Sequence, residues 1–184
     1  MQTRGAPIDT ITGGIWYPFA PRAEDVRLAD ARALAYQARY LGHAGVDYSP
    51  IQHMALVARW LVGQGADGAT VREGLGHDIH EAWPPGDVPA PCKRGDEPEA
   101  VLLRAWETRV ERVVKPVFGL PVEMSNAVKI ADRVLFATEV RDLNPAWHGE
   151  LDWGPPLEPW SEFIDPWPAA RAWSVWLEMW ETFS

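Results

Sequence analysis

The sequence predicts an all-α fold, and three observations carry that prediction. Apolar residues recur at helical spacing in six segments, prolines and glycines punctuate the joins, and the apolar–polar alternation of a half-buried strand is scarce. The chain has 184 residues, nearly half of them hydrophobic, which is enough for one domain with a substantial core. Residues 1–184 are therefore expected to form a single helical bundle, its core spanning about 23–143.

The first 22 residues, ending in GGIWYPFAPR, mix glycine, proline and aromatics without helical period and read as an irregular or hairpin-like arm. A first helix is predicted from Ala23, with Val26, Leu28, Ala29, Leu34, Ala35 and Leu41 as its apolar set, acids early, and Gly42 as its stop. The second begins with Ser49 as N-cap and Pro50 at the first helical position, carries Ile51, Met54, Leu56, Val57 and Leu61, and closes at Gly63 and Gly65. GATVREGLGHDIHEAW forms a third, weakened by Gly74 and Gly76 and stopped by Pro84 and Pro85. EPEAVLLRAWETRVERVVK is a long amphipathic helix, and MSNAVKIADRVLFATEVRDL another, with Val128, Ala131, Leu135, Phe136 and Val140 inward. Residues 145–168, rich in Pro, Trp and Gly, are expected to be ordered but irregular before a last helix. There Trp173, Trp176 and Trp180 repeat at i, i+3 and i+7, a stripe suited to the core or to a subunit contact.

The balance of 17 basic against 26 acidic residues, a net charge of −9, repels nucleic-acid polymers but admits a small phosphorylated ligand held by a few cations or a metal. One cysteine, Cys92, rules out an internal disulfide framework. No basic region followed by an apolar one suggests export, and no apolar run approaches the roughly 18 residues that span a bilayer. A soluble cytoplasmic protein without membrane contact is the expectation.

Chemistry concentrates in Gly76–Lys93, GHDIHEAWPPGDVPAPCK, which holds two histidines, three carboxylates and a lysine among four prolines. His77 and Asp78, about 100° apart on a helix, would straddle a cation lying against it, with Glu81 one turn later on the same side. His53 and the distant Asp132 complete a set of two imidazoles and two carboxylates. Such a mixed shell suits Mn, Fe, Co, Ni or Zn better than Ca or Mg.

In order along the chain, QHM with His53, HDIHE with His77, Asp78 and Glu81, GDVPAPCK with Asp87 and Lys93, and KIADRVLFATE with Asp132 resemble the HD-domain phosphohydrolase superfamily. Within it they are most similar to the small bacterial and phage branch of 5'-deoxynucleotidases and deoxynucleoside triphosphate triphosphohydrolases. The likeness covers about residues 15–143. It implies an HD-domain helical bundle assembled as a homo-oligomer, to which the residues themselves add the irregular N-terminal arm and the Trp/Pro-rich C-terminal segment. It further implies a transition metal on His53, His77, Asp78 and Asp132, with Mg admitted at a second, phosphate-bridging site.

In that reading Glu81 and Asp87 are the catalytic carboxylates, while Arg39 and Lys93 neutralise phosphate. His43 and His80 are substrate contacts or hydrogen-bonded neighbours, and Ile15 and Trp16 of the arm meet the base. The implied substrate is a nucleotide, dATP first, cleaved to deoxynucleoside and triphosphate. Removal of phosphate from deoxynucleoside monophosphates is the alternative activity, and a nucleotide-binding module without turnover is the alternative class.

Overall fold

A computed structural model describes residues 4–144 and 157–184. Its described residues are mostly helical, with one two-stranded sheet, as the periodicity predicts. The N-terminal arm forms that sheet: β1 (Ile8–Asp9) pairs antiparallel with β2 (Ile15–Trp16), Ile8 opposite Trp16. Asp30, buried, accepts from the Thr12 hydroxyl at 2.6 Å and so pins the hairpin to the body.

The first predicted helix is the main departure. Residues 23–42 form three short 3-10 segments, Ala23–Asp25, Leu28–Ala35 and Arg39–Gly42, rather than one α-helix. Ala31, Leu34 and Ala35 still reach the core. Past Tyr36, however, the chain must double back toward the next helix, and the Arg39 N–H donates to the Tyr48 carbonyl at 2.9 Å to close that loop. The reversal puts two consecutive non-glycine residues in left-handed backbone, Tyr40 at φ 58° and Leu41 at φ 54°. Each such residue costs about 1–2 kcal/mol, so tertiary contacts override helical propensity here.

Helix α1 (Pro50–Gly63) is the axis of the molecule, with Ser49 accepting from the Gln52 N–H at 3.3 Å and Pro50 at its first turn, as expected. It is buried on nearly every side from Pro50 to Ala58 because α2 (Gly68–Gly76), α4 (Asn126–Leu143) and α5 (Ala169–Thr182) all pack on it. Asp67 caps α2 through the Thr70 N–H at 2.8 Å, and Ser125 caps α4 through that of Val128 at 3.4 Å. The amphipathic α3 (Pro98–Val117) turns Val110 and Val114 inward.

The third predicted helix also stops early. α2 ends at Gly76, Asp78 leaves helical geometry at φ −113° and ψ 16°, and Ile79–Ala82 is a 3-10 turn. Gly74 and Gly76 do more than weaken the helix. A β-carbon at Gly74 would stand 2.6 Å from Leu61 Cδ1 and one at Gly76 2.3 Å from Leu120 Cδ1, so both glycines permit close approach of neighbours. The carbonyls left at the broken end find donors: His77 Nδ1 bonds the Gly74 carbonyl and the Trp176 indole that of Leu75, each at 2.8 Å.

The tryptophan stripe is core. Trp176 is fully buried and stacks on Trp173 and Trp180 at 5.5 and 5.0 Å. Of the irregular segment expected over 145–168, residues 145–156 lie outside the described residues. Residues 157–168 are irregular as expected. This part clasps α1, with the Gln52 amide bonding the Asp165 carbonyl and the Trp167 N–H, both at 2.8 Å. Among the described residues no helix is long and apolar enough to cross a membrane.

Candidate metal centre

Three elements deliver the four expected ligands to one spot. His53 comes from the first turn of α1, His77 and Asp78 from the break after α2, and Asp132 from the second turn of α4. His53 Nε2 lies 3.0 Å from Asp132 Oδ1, while His77 Nε2 lies 3.9 Å from that oxygen and 3.2 Å from Asp78 Oδ2. The continuous helix expected to carry His77 and Asp78 is absent, but the turn at Asp78 still brings its carboxylate to His77.

The donor set fits a divalent cation. His77 gives its Nδ1 proton to the Gly74 carbonyl, which directs its buried Nε2, without a hydrogen-bond partner, into the site. His53 is held in the same sense, its Nδ1 2.5 Å from Glu139 Oε1 and its Nε2 toward Asp132. One donor atom each from His53, His77 and Asp132 can lie within 4.8 Å of one another. Buried imidazoles oriented by outer acceptors, facing carboxylates across a gap, are the chemistry of a metal site.

Glu139 is the residue that sequence reading missed. Fully buried on α4, it accepts from the hydroxyls of Tyr40 and Tyr48, the latter at 2.7 Å, and stands 3.5 Å from Arg39 Nε. Burial pushes its carboxyl up, but the Arg39 charge, then His53 and the hydrogen bonds, pull it down to about 2. Burial and Arg39 depress His53, yet Glu139 and the bonds to both carboxylates raise it to about 9. A signal existed: Asp132, Phe136 and Glu139 stand at i, i+4 and i+7 on one face of α4.

Beside these ligands opens a cleft of about 430 Å³, lined among others by Arg39, His43, Asp78, Glu81, Asp87, Lys93, Glu107 and Asp132. Burial first, then the charges of Asp78 and Asp87, push Glu81 well above the usual carboxyl range. Burial, aided by Asp78, raises Asp87 as well. Glu81 Oε2 and Asp87 Oδ2 are both buried without hydrogen-bond partners. Burial likewise works against the Asp78 carboxylate, but His77 holds it well below the usual range.

Lys93 reaches the cleft from the proline-rich loop, as expected, but its ammonium is bonded to Glu107 at 2.5 Å. His80 lies behind, buried, its Nε2 3.9 Å from the same carboxylate. His80, Glu81 and Glu107 form a second cluster able to hold a metal, with the Lys93 cation already on Glu107. His43 is exposed at the rim, and Arg39, without the helix end predicted for it, is ion-paired to Glu139. Two expectations fail: Trp16 is fully buried against Trp83, their rings 5.5 Å apart, and Ile15 points to solvent at 50% exposure, so neither lines the cleft. The hairpin register decides this, because pairing β2 with β1 turns Trp16 inward and Ile15 outward.

No family model matches the chain. It is 34% identical over 140 residues to the uncharacterized protein YfdR of Escherichia coli (strain K12), a match that covers 74% of this chain and 71% of that protein. The chain belongs to the YfdR family. In this YfdR-family protein the ligand set, the cleft and the buried Glu139 form one continuous polar region at the heart of the fold.

Proposed function

We propose that the protein is a metal-dependent nucleotide phosphohydrolase of the HD type, acting on deoxynucleoside triphosphates with dATP as the first candidate. The observation that carries the reading is the convergence of His53, His77 and Asp132, with Asp78 against His77 and an orphaned histidine nitrogen, beside a nucleotide-sized cleft. These four residues would hold the cation, of the Mn, Fe, Co, Ni or Zn class by their mixed N/O chemistry. When bound, such a cation makes water acidic near neutral pH and polarises a phosphoryl oxygen.

The protein's own groups supply the rest. Glu81, whose hold on its proton burial and its acidic neighbours strengthen, is suited to give a proton to the departing oxygen, and Asp87 to accept one from the attacking water. Arg39 and Lys93 present positive charge to the phosphates. The acidic cleft also supports a second reading. Five carboxylates, Asp78, Glu81, Asp87, Glu107 and Asp132, face two cations, Arg39 and Lys93, and that balance favours a substrate with fewer phosphates, a deoxynucleoside monophosphate.

The test incubates the protein and Co or Mn with dATP, the other three deoxynucleoside triphosphates and dAMP, and resolves products by chromatography. Deoxyadenosine and triphosphate from dATP support the first reading, and turnover of dAMP alone supports the second. No product from any of them sinks both. His77→Ala is expected to lose metal and turnover together, whereas Glu81→Gln keeps metal and loses about a hundredfold in rate. Metal loss in Glu81→Gln counts against its assignment as the acid.

A further inference from the structure

The apolar part of the cleft lining gathers at the turn around Leu41. Tyr40, Leu41, Val88, Pro89 and Phe136 all line it, and the Tyr40 ring meets that of Phe136 edge-on at 6.4 Å. Leu41 is the odd member. It sits at φ 54°, where a glycine would rest without strain and a leucine does not, yet its side chain buries almost nothing and stays 67% exposed. The two residues before it are tied down, Arg39 by its N–H on the Tyr48 carbonyl and Tyr40 by its hydroxyl on Glu139.

A scattered exposed leucine needs no explanation, but one held in left-handed backbone at the lip of a cleft does. We infer that Leu41, with Val88, Pro89 and Phe136, receives the nucleobase of a nucleotide whose phosphates lie toward His53, His77, Asp78 and Asp132. The inference rests on the nucleotide reading above. It moves the base from the N-terminal arm, which does not reach the cleft, to apolar residues that line it. Apolar side chains such as these suit the flat, uncharged face of a base and offer nothing to a phosphate.

Leu41→Gly tests this without endangering the fold, because glycine accepts the left-handed backbone. Binding of dAMP and of base-free inorganic triphosphate to the metal-loaded protein is measured by calorimetry for the wild type, Leu41→Gly and Leu41→Met. Leu41→Gly is expected to weaken dAMP about tenfold, as for partial loss of one leucine's apolar contact, with triphosphate affinity unchanged. Leu41→Met, which restores an apolar side chain, is expected to bind dAMP like the wild type. In turnover the glycine variant raises KM by a similar factor and spares kcat.

Equal weakening of dAMP and triphosphate, or no change in dAMP, overturns the inference, as does a wild type that binds no dAMP. If dAMP binds in a Leu41-dependent way but no nucleotide is hydrolysed, the base site stands and the hydrolase reading falls.

Discussion

Replacing Glu139 by glutamine tests the centre most directly, because one buried carboxylate holds His53, two tyrosines and an arginine at once. Its fall from 4.5 to about 2 on folding corresponds to about 3 kcal/mol, at 1.36 kcal/mol per unit, and its complete burial leaves solvent little part in that figure. The rise of His53 from 6.5 to about 9 reflects much of the same attraction from the other partner, so the two are not added. About 3 kcal/mol also matches the usual cost of stripping a buried charge of its partner, here Arg39 and the His53 imidazolium.

The pH dependence has two opposite limbs in metal-free protein. Glu139, depressed on folding, contributes stability above its unfolded value, and that contribution is lost as pH falls toward about 2. His53, raised on folding, contributes below 6.5, and that contribution is lost as pH rises through about 9. Urea unfolding of chelator-treated wild type and Glu139→Gln should therefore differ by about 3 kcal/mol near pH 5.5, the gap narrowing toward pH 3 as the unfolded wild type takes up a proton on Glu139 that the folded protein does not. A difference below about 1 kcal/mol at pH 5.5, or one unchanged at pH 3, refutes the account.

Further outcomes follow from the same contacts. Because His53 holds its proton up to about 9 in metal-free protein, cation binding at pH 7 should release a proton, and apparent affinity should climb about tenfold per pH unit below that value. Calorimetry in buffers of unlike ionisation heat measures the release, and binding with no proton exchanged would contradict it. Gly76→Ala places a methyl 2.3 Å from Leu120 Cδ1 and 3.1 Å from Trp180 Cζ3, next to His77. It should cost about 1–3 kcal/mol and weaken metal binding, and a variant as stable as the wild type would show that Leu120 yields freely. Trp176→Phe keeps the ring in the core but leaves the Leu75 carbonyl without its indole donor, so a loss of about 1–3 kcal/mol in urea unfolding is expected, and no loss would assign the bond no weight.

Much of the helical fold was legible because its signals are local. Ser49 with Pro50, the amphipathic run from Pro98, and the inward residues of α4 act within a turn or two, and each helix formed where its caps and period say. The candidate ligands were legible too, since histidines and carboxylates in that order are rare in a structural helix face. Their path into the site was not. The broken helix at Asp78, the 3-10 course of residues 23–42 and the exclusion of Trp16 and Ile15 depend on which surfaces meet.

By itself the sequence determined the all-α class and most helix boundaries, and it picked out side chains that could hold a metal together with Glu81 and Asp87. Only the tertiary structure decided that Glu139 anchors His53 and Arg39, that Lys93 is tied to Glu107, and that Leu41 is held at the lip of the cleft. The reason is range. A cap or a period is felt between residues a few positions apart, whereas Tyr40 and Glu139 are 99 positions apart, and their hydrogen bond exists only once the helices have packed.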